Sequence, residues 1–198
     1  IDQLRHSKSP VIIAIAGQSQ SGKTILANTF KHALKQKQIN VQHIHCDAWI
    51  IPPSERTENQ TVSDRFQLNK LNQDLTNYLI NKMPISVATY DSLRETILTT
   101  QDFHYDDADV ILIDGVVSLM IPMILDHSDI RLFIDLTSDL HREQFFKYYH
   151  WKSSLSDDKI CDLLNSRKHD EWPIIDASKA HATDIIQPFI PLQEDLVL

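Results

Sequence analysis

The chain has 198 residues, 42% hydrophobic and 23% charged, enough for one α/β domain, or a domain with a small mobile cap, around a sizeable core. Its formal net charge of −8 argues against a general polyanion binder, because nucleic-acid domains carry a basic stripe; any bound anion must be held by a local device. Cys46 and Cys161 are too few for a disulfide framework and form no metal-type pair. The apolar run over 11–16 is far shorter than a membrane span and no secretory cleavage pattern follows it, so a cytoplasmic protein without a membrane or nucleic-acid partner is expected.

In chain order, residues 11–16 read as a short buried strand of the parallel-sheet type. Residues 23–37 turn helical, with Leu26, Phe30, Ala33 and Leu34 on one face. "VQHIH" is a second strand, and "AWIIPPSERTENQT" a loop. Ser63 is placed to cap a helix running to about residue 82, with Leu68, Leu71, Leu75 and Tyr78 at helical spacing. "ISVATY", "DVILIDG" and "IRLFIDL" are further strands. Helices over 139–151 and 156–168 and a last strand over 182–186 complete the pattern. Strands alternating with helices imply right-handed crossovers and a doubly wound α/β fold with a parallel sheet. No repeat or linker interrupts it, so one domain over 1–198 is expected, with 139–168 as a helical lid.

The chain has only three glycines, and two of them frame Gly17-Gln18-Ser19-Gln20-Ser21-Gly22-Lys23-Thr24. This matches G-x-x-x-x-G-K-[ST], with the required strand before it and helix after it. Backbone N–H groups and the helix N-terminus would cradle phosphate, Lys23 would reach the β/γ-phosphates and Thr24 would ligate Mg²⁺. The third glycine follows Asp114 at the end of an apolar strand, the position of a metal-binding carboxylate beside such a cradle.

Phosphate cradles serve kinases, GTPase switches and motor ATPases. "NKLN" and "NKMP" both lack the aspartate of the guanine-reading N-K-x-D, and Asp114 and Gly115 are adjacent rather than spaced as D-x-x-G. A kinase also needs a group that takes or orients the proton of the attacking hydroxyl, and Asp47 in "HCDAWI" is placed for it. Arg142 and Arg167 are the stronger choices among the basic residues of the lid for the moving phosphoryl group, since a guanidinium forks across phosphate oxygens. Trp49 is read equally as a platform for an acceptor ring or as a core plug. His43 and His45 share a strand face and are expected to pack or hydrogen-bond rather than bind metal. Tyr148, Tyr149 and Trp151 read as the packing face of a lid helix.

The chain resembles the uridine kinase and phosphoribulokinase family of P-loop kinases. "IAIAGQSQSGKT" is similar to the family's opening, "CDAWI" stands where its catalytic Asp follows the second strand, and "TYDSLRETI" resembles its substrate segment. "VILIDGVVSL" resembles its metal-carboxylate strand and "RLFIDLTSDLHREQFFKYY" its strand-then-lid stretch, in order from about residue 11 to 186. The resemblance implies a P-loop NTPase-type fold, ATP and Mg²⁺ as cofactors, Thr24 and Asp114 as metal ligands, and Asp47 as base. It further implies acceptor contacts at Tyr90 and Asp91, a loose match at Arg94, and Arg142 and Arg167 near the phosphates or substrate. The stretch Ala48-Trp49-Ile50 and its Pro-Pro loop depart from the family's aromatic-rich segment. The implied acceptor is a small-molecule hydroxyl on a nucleoside such as uridine or cytidine, with a sugar as the alternative and a non-catalytic nucleotide-binding regulator outside the class. The subunit count is left open, a homo-oligomer included.

Overall fold

Short runs of Val, Ile and Leu are too apolar to expose either face, and they pair into a sheet covered on both sides. The computed structural model describes residues 9–57, 60–91, 96–153 and 155–187. Its strands are β1 (Val11–Gly17), β2 (Val41–His45), β3 (Ile85–Asp91), β4 (Thr96–Phe103), β5 (Val110–Asp114), β6 (Ile130–Ile134) and β7 (Asp184–Ile186). Five of them form one parallel sheet in the order β2-β5-β1-β6-β7, while β3 and β4 make a separate antiparallel pair. In register, Ile15 of β1 and His45 of β2 both face Asp114 of β5. The ends of these three strands therefore lie level, and whatever follows them meets at one edge.

The helices are α1 (Lys23–Lys35), α2 (Leu68–Leu79), α3 (Pro122–His127), α4 (Ser138–Ser153), α5 (Asp157–Asp170) and α6 (Trp172–Ser178). Alternate residues of β5 point to opposite faces. Ile111 and Ile113 pack with Leu71, Leu75 and Tyr78 of α2, Ile124 of α3 and Ile175 of α6. Val110 and Leu112 pack on the other face with Ala27, Leu26, Phe30 and Leu34 of α1; Ala33 is exposed. Burial on this scale contributes roughly 1.5–3 kcal/mol for each large apolar side chain. Helices α4 and α5 share a smaller cluster of their own, Phe145, Ile160 and Leu164.

Several expectations are corrected. The helix expected from Ser63 starts at Leu68: Ser63–Arg65 is a short 3-10 turn, and Phe66 is extended and bridges Ile50, which breaks the helical path. Strand β4 and helices α3 and α6 were not anticipated. Ser156 occupies the N-cap of α5, with Asp157 and Asp158 in its first turn, and its side chain makes no capping hydrogen bond. Among the described residues, no helix is long and apolar enough to cross a membrane.

Candidate active site

The loop between β1 and α1 is shaped to receive an anion. Gly22 sits at the N-cap of α1 with φ 92°, a left-handed conformation that glycine adopts without penalty, and no side chain caps the helix. Gln20 is also left-handed, at φ 64°, where a residue with a side chain is held at a cost of roughly 1–2 kcal/mol. Orphan N–H groups at the start of α1 thus face a turn that holds some strain. Ser21 Oγ is buried there with no hydrogen-bond partner among the described residues. The Lys23 ammonium is buried too and donates to the Gln18 carbonyl at 2.7 Å. Burial pushes its pKa down, against the pull of Asp47, Glu171 and Asp114. Uncapped donors, an orphaned hydroxyl and a desolvated cation all fit a bound polyphosphate.

Asp114 closes the far side of the cradle. It is fully buried, and its Oδ2 accepts from Thr24 Oγ1 at 2.9 Å. Its Oδ1 accepts from His43 Nε2 at 2.7 Å and lies 3.1 Å from His45 Nδ1. Burial would raise the Asp114 pKa, but hydrogen bonds and charge from the two histidines hold it well below the usual carboxylate range. Asp47 stands just past β2 in a 3-10 turn, partly exposed, with its Oδ2 3.6 Å from His45 Nε2. Burial would lower the His45 pKa; Asp47 and Asp114 together outweigh it and raise it to about 9. The third glycine belongs here: a Cβ on Gly115 would lie 2.5 Å from the Cβ of Cys46, the neighbour of Asp47.

A cavity of about 900 Å³ joins the cradle to Asp47 and His45, with Lys23, Thr24, Arg56, Phe66 and Arg167 also in its lining. Arg142 lies outside that lining: its guanidinium stacks over Phe146 and approaches Cys161 Sγ at 3.8 Å. Trp49 is also outside it, buried, with its indole donating to Asp74 at 2.7 Å. Tyr148 and Trp151, expected to pack within the lid, line the cavity instead, and Trp151 is exposed. Tyr90 and Asp91 end β3, opposite Ile97 and Thr96, and Arg94 lies outside the described residues.

Sequence reasoning missed the contacts between the cradle and the helices after β6. Glu171, between α5 and α6, accepts from the Ser19 N–H at 3.0 Å and from the Ser19 hydroxyl. His141 of α4 donates from Nε2 to the Ser19 carbonyl, and Asp176 of α6 accepts from the Gln18 amide at 2.7 Å. The helix junction "DEWP" carried a weak signal, an acidic residue directly before a helix that opens with Pro at its first turn.

A parallel α/β sheet, a loop-to-helix anion cradle and a buried carboxylate on the neighbouring strand define a P-loop nucleotide-binding protein. The sequence model of the phosphoribulokinase / uridine kinase family matches residues 12–194, and the chain belongs to that family. A uridine kinase from Lactobacillus helveticus is 29% identical over 138 residues, which span 67% of this chain and 64% of that relative. Among solved structures, a protein assigned as a fructose transport system kinase from Silicibacter sp. TM1040 matches with TM-score 0.69 at 14% identity, over 93% of this chain and 92% of that one. Phosphoribulokinase from Rhodobacter spheroides matches with TM-score 0.64 at 13% identity, over 91% and 71%. These structures establish the fold, a mostly parallel central sheet with helices.

Proposed function

We propose that this chain is a kinase that uses ATP and Mg²⁺ to transfer the γ-phosphoryl group to a hydroxyl of a small molecule, a nucleoside such as uridine or cytidine. The observation that carries this reading is that one cavity is lined by both Lys23 of the cradle and Asp47 across from it. The cradle amides, Ser21 and Lys23 would bind the phosphates, and Thr24 and Asp114, already 2.9 Å apart, would hold Mg²⁺. The metal would supply charge neutralisation on the β- and γ-phosphate oxygens. Asp47 accepts the proton of the attacking hydroxyl, and Arg167 offers its guanidinium at the phosphate end. The relatedness to uridine kinases supports a nucleoside acceptor, and Phe66 puts an aromatic ring in the cavity lining. A sugar acceptor is the second reading, favoured by Trp49: the aromatic residue that follows Asp47 is tied into the core by Asp74. Lid residues 139–168, one domain over the chain, and acceptor contacts by Tyr90, Asp91 and Arg94 belong to the same proposal.

The test is an acceptor panel run with ATP and Mg²⁺ and read as ADP release. Uridine or cytidine should raise turnover well above the acceptor-free rate, and Lys23→Ala should abolish that rise while the protein stays folded. ADP release that no nucleoside or sugar accelerates would leave a nucleotide binder rather than a kinase.

A further inference from the structure

Glu171 is 2% exposed, and an ionised carboxylate is costly to bury unless it is paired and hydrogen-bonded. Both of its oxygens are used. Oε1 accepts from the backbone and hydroxyl of Ser19, and Oε2 lies 3.3 Å from Nη1 of Arg167, one turn earlier on α5. Anchoring the loop does not by itself call for this group. The His141 imidazole already holds the Ser19 carbonyl, and Asp176 already holds the Gln18 side chain. What Glu171 adds is negative charge beside a guanidinium that lines the cavity together with Ser19 and Lys23. A free arginine side chain samples many rotamers, so fixing it before substrate arrives removes a cost from the reacting complex.

We propose that Glu171 is a positioning residue for phosphoryl transfer, holding the cradle at Ser19 with one oxygen and aiming Arg167 at the phosphates with the other. The inference rests on the kinase reading above. Glu171 lines the same cavity, and in this assignment it acts on the phosphoryl group through Arg167.

Glu171→Gln keeps the side-chain length and an acceptor for the Ser19 N–H while removing the charge that holds Arg167. Turnover at saturating ATP and acceptor should fall at least about tenfold, with ATP affinity by calorimetry within about threefold of wild type. On an Arg167→Ala background the same substitution should cost nothing further, since its partner is already gone. Glu171→Asp, which keeps the charge at shorter reach, runs through the same cycle should Glu171→Gln melt below the assay temperature. Additive losses in the cycle, unchanged turnover, or tighter ATP binding with unimpaired turnover would each overturn the assignment. The last of these would mean that the carboxylate occupies phosphate space. Wild-type protein that binds no ATP would instead sink the kinase reading, and this inference with it.

Discussion

Asp47 and Asp114 approach the same imidazole but meet opposite surroundings. Asp114 is fully buried and receives hydrogen bonds from Thr24 and His43, with His45 beside it; Asp47 is partly open and lines the cavity. The surroundings of the first keep it charged; in the proposed kinase reading the second is the one that meets the acceptor hydroxyl. Asp47→Asn should therefore leave ATP affinity nearly intact and lower turnover by about 10²–10⁴-fold, the usual worth of acid–base help. Asp114→Asn should raise the Mg²⁺ concentration needed for half-maximal turnover and weaken ATP binding in Mg²⁺. Titrating ATP and Mg²⁺ against each variant separates the two, and equal losses of ATP affinity would refute distinct roles. Both aspartates, like Lys23 and Thr24, were legible because their signal is local: a motif, or the end of an apolar run. The alternation of His43 and His45 showed that they share a face, yet their partner depends on the register between β2 and β5. Glu171 and His141 lie 152 and 122 residues from Ser19, and no local pattern reaches so far.

At the scale of elements, α4 and α5 were legible because each is long and begins at a polar residue. Helix α6 is short and carries Pro173 in its first turn, so its seven residues offer little helical periodicity to read. Strand β4, "TILTTQDF", is rich in β-branched residues, but among the described residues it pairs with β3 alone, outside the main sheet. How α4 seats on the cradle has a pH signature. His141 is 1% exposed, and with Nε2 donating to Ser19 the ring leaves Nδ1 without a partner among the described residues. A second proton would thus bury an unpaired donor. Burial lowers the His141 pKa and Lys23 adds to it, outweighing the opposite pull of the Ser19 carbonyl, Glu171 and Asp176. A depressed folded-state pKa means that the stability is whole above the unfolded value of about 6.5. As pH falls from there toward the folded-state value, it is lost at up to about 1.4 kcal/mol per unit. Melting temperatures from pH 7.5 to 5 should fall more steeply for wild type than for His141→Gln, whose amide can keep the bond to Ser19. Parallel curves would show that His141 titrates normally.

For the whole molecule, the alternation of strand and helix disclosed the fold class but not the order of strands, which is set by tertiary packing. That order matters for function because placing β5 between β2 and β1 brings Asp114 level with His45 and beside the cradle. The site is consequently assembled from segments spread along the chain: the loop after β1, the turn after β2, the end of β5, and the junction of α5 with α6. A ligand that touches all of them binds the folded chain and not the unfolded one, so it must stabilise the whole. At a concentration 100 times its dissociation constant, such a ligand adds about 2.7 kcal/mol. For a protein of this length each kcal/mol moves the melting point by about 2–4 °C, so ADP with Mg²⁺ at that excess should raise it by about 5–11 °C. Lys23→Ala, which withdraws the buried ammonium from the phosphates, should melt close to wild type without ligand and lose most of the rise. A thermal scan with and without ADP and Mg²⁺ checks both. An equal rise in the variant would mean that the nucleotide binds away from the cradle.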